Sequence, residues 1–135
     1  MIICSVDGSG GVMTISYSQH VDVQDMRRCL ENVRHLLDQL RPGFLVLADL
    51  TSLESMDANC AHDLGALMDL CSGRGMATVM RVIPDSSKEI GINIISRFHL
   101  QPQVKVHAFG SLADAIKSLL PAQADESPLI PSSVS

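Results

Sequence analysis

Phe44-Leu45-Val46-Leu47-Ala48-Asp49-Leu50 is a nearly unbroken apolar run, and it leads into Thr51-Ser52-Leu53-Glu54-Ser55-Met56-Asp57, which is mostly polar. A run this short, without the three-and-four spacing of a helix, suits a strand covered on both faces, as in the middle of a parallel sheet. The segment before it is helical. Val23, Met26, Leu30, Val33, Leu37 and Leu40 recur at alternating gaps of three and four, which makes one apolar stripe. Asp22 suits the cap of that helix, Asp25 favours its positive end, and Arg41-Pro42-Gly43 stops it. After the strand, residues 51–56 read as a loop. A second helix is expected to begin near Asp57, with Ala61, Leu64, Met68 and Cys71 inward and Gly73 and Gly75 at its end.

The pattern continues outward. Met76 to Ile83 reads as the next buried strand. Pro84-Asp85-Ser86 starts a third helix, with Ser86 and Glu89 spaced as a capping box and Ile90, Ile94 and Phe98 inward. Val104 to Phe109 alternates as an outer strand does, and Ser111 opens a last helix with Leu112, Ala115, Ile116 and Leu119 inward. At the start of the chain, Ile2–Val6 and Val12–Tyr17 are β-prone runs around Asp7-Gly8-Ser9-Gly10-Gly11, a hairpin signature. The order is ββαβαβαβα. Such alternation implies a single α/β domain over residues 1–120, with a mostly parallel sheet and an antiparallel N-terminal edge. Helices are expected near Asp22, Asp57, Ser86 and Ser111. From Pro121 the composition turns to Pro, Ser, Ala and Gln, and 121–135 reads as a flexible tail.

Composition narrows the function. The chain has 135 residues, a hydrophobic fraction of 46% and a net charge of −5, which fits one globular domain. Arg27-Arg28 is the longest basic run, and Tyr17, Phe44, Phe98 and Phe109 are dispersed, so neither a phosphate-tracking stripe nor a base-stacking platform is present. Nucleic acid is excluded as an expected partner. No apolar run reaches the ~20 residues of a membrane span, and Met1-Ile2-Ile3-Cys4 does not begin as a signal peptide does. Cys4, Cys29, Cys60 and Cys71 form no CxxC pair, which points to free thiols in a reducing, cytoplasmic setting.

Few residues suggest chemistry. His20, His35, His62, His99 and His107 show no metal-ligand spacing, and no metal or other cofactor is expected. The glycine cluster at 8–11 leads into a strand, so it reads as a turn and not a phosphate cradle. Cys60 falls in the first turn of a helix, where exposed amides lower a thiol's pKa. Asp57 opposes that effect, and a packed thiol is the expected state. Asp49 is expected to bond loop amides, Asp57 to cap the second helix, and Leu53 and Met56 to face the core.

The stretch 45–57, followed by a helix, resembles the STAS domain of anti-sigma-factor antagonists and sulfate transporters. In that family a strand ending in Asp-Leu leads through a short loop to an Asp-Ser-Ser/Thr-Gly motif that opens a helix. Gly110-Ser111-Leu112-Ala113-Asp114-Ala115 is similar to the family's closing helix. The resemblance implies a STAS-like fold and a regulatory protein that binds a protein partner, such as an anti-sigma-factor-like kinase or another signalling component. Carried over, the motif falls on Asp57, Ala58, Asn59 and Cys60. In family antagonists a kinase phosphorylates the second hydroxyl residue. Here Asn59 holds that place and carries no hydroxyl, so the usual phospho-switch is not expected. Any substitute acceptor in the loop is Thr51, Ser52 or Ser55.

The expectation is therefore a non-catalytic signalling module that binds a partner around residues 51–68, through Ser55, Asp57, Ala58, Asn59 and Cys60, and that is compatible with a homodimer. The alternatives are a small redox or thiol-dependent enzyme using Cys60, or a small-molecule or lipid-binding domain with a cavity.

Overall fold

A computed structural model describes residues 1–83 and 103–119 of the chain. The hairpin comes first. Strand β1 (Ile2–Val6) runs antiparallel to β2 (Val12–Val21), with Cys4 opposite Ile15. The Asp7 carboxylate organises the turn, accepting the Gly11 and Val12 amides at 2.9 and 3.0 Å and the Ser9 hydroxyl at 2.6 Å. Gly10 adopts φ +73°, and a Cβ there would lie 2.6 Å from the Gln39 carbonyl oxygen. The hairpin therefore sits against the end of the first helix at a distance that only glycine permits.

Helix α1 (Val23–Leu36) follows, prolonged by a 3-10 turn over Leu37–Gln39. Asp22 accepts the Asp25 amide at 2.9 Å, and Asp25 returns the bond to the Asp22 amide at 3.0 Å. This reciprocal cap satisfies two amides that the helix itself leaves open. The α1 stripe buries Met26, Cys29, Leu30 and Val33.

The chain then returns as β3 (Leu45–Met56), passes through α2 (Cys60–Gly73), and continues as β4 (Thr78–Val82). Strand β5 (Lys105–Phe109) and helix α3 (Leu112–Leu119) complete the described residues. The sheet order is β1-β2-β3-β4-β5, with every pair parallel except the hairpin. Strand β3 is central, as the apolar run 44–50 predicts. Helices α1 and α2 share one face, where Met13, Ile15, Tyr17, Val46 and Leu50 meet Met26, Val33, Leu64 and Leu67. Ala115 of α3 packs on the other face against Leu47, Met80 and Val82. The expected third helix around Ser86 and the tail 121–135 lie outside the described residues.

Three local expectations are corrected. Residues 51–56 are not a loop: β3 runs on to Met56, paired with β2 from Ser18↔Ser52 to Val21↔Met56. In α2 the inward stripe is Cys60, Leu64, Leu67 and Cys71, while Ala61 is exposed and Met68 only half-buried. That stripe follows the helical period once cysteine is counted as a small apolar residue. In α3 only Ala115 is buried; Leu112, Ile116 and Leu119 stay exposed because the helix approaches the sheet along its small residue.

Candidate functional site

The extra length of β3 builds the site. Strand β4 ends at Val82, opposite Asp49, whereas the β2–β3 pair continues to Met56. Asp49 marks that point, its carboxylate accepting the Thr51 amide at 3.0 Å and the Thr51 hydroxyl. Asp49 thus bonds the backbone beyond it, as its place in the sequence suggests.

Beyond Asp49 the ladder is irregular. The register shifts between Ser16 and Ser18 and again between Gln19 and His20, and Gln19 takes φ 59°. Such bulges re-aim side chains. Here the second shift places His20 opposite Ser55. His20 Nδ1 lies 2.7 Å from Ser55 Oγ, and His20 Nε2 lies 3.0 Å from Asp57 Oδ1. The carboxylate only accepts, so in neutral His20 the proton sits on Nε2 and Nδ1 accepts the Ser55 hydroxyl. The result is a chain from Ser55 through His20 to Asp57, on the surface: the His20 and Asp57 side chains are 52% and 48% exposed. An imidazole so placed orients the serine hydroxyl and can receive its proton.

One carbonyl ties this chain to α2. Val21 O accepts the Asp57 amide at 3.0 Å and the Cys60 thiol at 3.7 Å. The Cys60 amide in turn bonds the Asp57 carbonyl at 2.9 Å. The last residue of β2 therefore fixes the entry to α2.

The expected site residues separate here. Ser55, Asp57, Ala58 and Asn59 share the exposed corner between β3 and α2. Cys60 leaves the group, being 0% exposed and packed in the core. Burial pushes its thiol above the usual thiol range, and the Asp57, Asp63, Asp22 and Asp25 carboxylates push it the same way. A thiol buried and pushed up in this way is a weaker nucleophile than an exposed one. Asp57 is not the helix cap either: Asn59 occupies that place in αR geometry with no side-chain cap bond, and the Asp57 carboxylate turns to His20. Leu53 is buried and Met56 half-buried against the core, as expected.

His20 is the member that sequence spacing misses. It stands 35 residues from Ser55 and shows no ligand pattern. The one local hint is its place at the end of a β-prone run just before the Asp22 cap. Among the described residues no group of three His, Cys, Asp or Glu side chains is placed to hold a metal ion. No described helix is long and apolar enough to cross a membrane.

The fold has known counterparts. No protein-family model matches the sequence, and no curated protein matches it. Among solved structures, a protein of unknown function with a SpoIIAA-like fold from Shewanella loihica superposes with a TM-score of 0.63 at 17% identity, over 88% of this chain and 92% of that one. An anti-sigma factor antagonist from Mycobacterium paratuberculosis gives 0.56 at 16% identity, over 90% and 96% of the two chains. The Bacillus cell-fate determinant SpoIIAA in its phosphorylated form gives 0.57 at 12% identity, over 88% and 99%. The chain therefore has the SpoIIAA-like, STAS-type fold of anti-sigma factor antagonists, as the residues 45–57 suggest.

Proposed function

We propose that this chain is a non-catalytic regulatory module that docks a partner protein through the corner formed by Ser55, Asp57, Ala58 and Asn59 and the exposed side of α2. The observation that carries this reading is the corner itself. It is polar, exposed and held in one geometry by His20 and the Val21 carbonyl. A preorganised surface binds without a further ordering cost. The likeness of the fold to anti-sigma factor antagonists supports a signalling component, such as an anti-sigma-factor-like kinase, as the partner class.

The module works without the family's usual phosphate switch. Ala58 and Asn59 stand where the resemblance places hydroxyls, and neither accepts a phosphate. Regulation then lies with the partner, its supply, or another segment of this chain. The test is Asn59→Glu against a partner captured with the wild-type chain. The added carboxylate sits at a helix start, which the fold tolerates, and a buried charge opposite the partner weakens binding by roughly 1 kcal/mol or more. Affinity reduced at an unchanged Tm is the expected result. Unchanged affinity removes this corner from the interface.

A further inference from the structure

We propose that Cys4 and Cys29 form a redox modification site, a dithiol that an oxidant of the peroxide class converts to a disulfide pinning edge strand β1 to helix α1. The two sulfurs lie 3.6 Å apart. A disulfide bond is about 2.05 Å long, so closure asks the pair to approach by about 1.5 Å. The placement is set by both elements. On β1, Ile3 and Ser5 face out while Cys4 faces in, paired with the buried Ile15. On α1, Cys29 belongs to the buried stripe and is 2% exposed.

The two thiols are unequal, which gives each a role. The two thiols share one hydrogen bond in which either sulfur can donate, and it holds the Cys4 thiol below the usual range. The same bond, and then burial, push the Cys29 thiol up. Cys4 is also the half-exposed member. That exposure lets a peroxide reach Cys4 before the buried Cys29, which makes Cys4 the attacking thiol and Cys29 the resolving one. The Cys4 sulfur attacks one peroxide oxygen, the O–O bond breaks, and the departing hydroxide takes a proton to leave as water. Cys29 then gives up its proton, its sulfur attacks the Cys4 sulfenic acid, the S–O bond breaks, and a second water leaves. Two thiols and one hydrogen peroxide become one disulfide and two waters.

The remaining cysteines do not compete. Cys60 is bonded to Val21 O in the core. Cys71 is buried, its thiol pushed up to about 12 by burial and then by the Cys4 sulfur. The edge position of β1 gives the reaction a consequence, because a strand bonded to one neighbour is the easiest to peel away.

The test oxidises the full folded chain with hydrogen peroxide and maps it by peptide mass spectrometry. The expected result is a loss of two hydrogens, a Cys4–Cys29 cross-linked peptide, and a Tm raised by about 5 °C over the reduced chain. Cys29→Ala is expected to leave a sulfenic acid on Cys4 that a dimedone probe captures, whereas Cys4→Ser gives no adduct at Cys29. Should Cys29→Ala fail to fold, the wild-type peptide map decides alone. Four free thiols after oxidation, a Cys4 carried directly to sulfonic acid, or a cross-link from Cys4 to Cys71 overturns the proposal.

Discussion

The imidazole of His20 and the carboxylate of Asp57 stand 3.0 Å apart, joining the end of β2 to the approach of α2 across 37 residues of chain. The pair is half-exposed, and water screens most of its attraction. Such pairs contribute at most ~1 kcal/mol to stability, so its importance lies in placing Ser55 and Asp57 more than in holding the fold.

His20→Ala is expected to lower stability by less than ~1 kcal/mol while weakening partner binding, because Ser55 and Asp57 then sample several rotamers. Urea unfolding and an affinity measurement on the same variant separate the two effects. A large loss of stability with intact binding contradicts the assignment of His20 to the surface site.

The end of β3 and the first turn of α2 are expected to carry no phosphate in the protein isolated from its native cell. Ser55 is the hydroxyl to watch, since its oxygen lies 2.7 Å from His20 Nδ1. Phosphopeptide mass spectrometry reads this directly. Stoichiometric phosphate on Ser55, with Ser55→Ala abolishing signalling, would replace the constitutive docking site with a displaced switch.

Gly10→Ala is expected to destabilise the fold by roughly 2 kcal/mol or more, through a left-handed backbone and a steric clash. The new Cβ meets the Gln39 carbonyl at 2.6 Å, and that backbone does not swing aside as a side chain does. The neighbouring Gly8, with open space around it, serves as the control. Equal melting temperatures for the two alanine variants would place the contact between hairpin and helix end elsewhere.

Acid is expected to destabilise the fold below about pH 4. Asp7 is held below the usual carboxylate range chiefly by its bond from Ser9, and then by the Val12 amide. Asp25 is held down chiefly by the Asp22 amide it accepts. A carboxyl depressed in the folded state contributes its full stability above the unfolded value. That contribution is lost as pH falls through the folded value, where the unfolded chain binds protons first. Tm against pH for wild type and Asp7→Asn, Asp25→Asn measures this: the double variant should show a shallower fall. Parallel curves would assign acid unfolding to other carboxylates.

The central strand and the first helix are legible because each obeys one local rule, a continuous apolar run at 44–50 and a regular stripe from Val23 to Leu37. Residues 51–56 break that logic. Their partner is β2 alone among the described strands, Thr51, Ser52, Glu54 and Ser55 are exposed, and bulges disrupt the alternation that marks a strand. A polar, irregular strand reads as a loop. Asp57 misleads for a related reason. Aspartate before a helix is a good cap by propensity, but a histidine far along the chain claims its carboxylate and the cap passes to Asn59. The candidate corner is legible in part: Asp57, Ala58 and Asn59 follow from the resemblance and Ser55 from its hydroxyl in the preceding stretch, while the contact of His20 with Ser55 and Asp57 depends on strand pairing that no spacing encodes.

The outreach of β2 and β3 past the end of β4 sets the proposed docking corner on a narrower stretch of sheet. It begins at Asp49, within the five-stranded sheet, and runs to Met56 as a ribbon two strands wide among the described residues. Two-stranded ribbons twist more readily than broad sheets. Here the twist is limited by the face the ribbon lays on the core, where Val21 and Leu53 are buried and Met56 packs half-buried, so the polar residues Ser55 and Asp57 are carried on the outside of a seated ribbon.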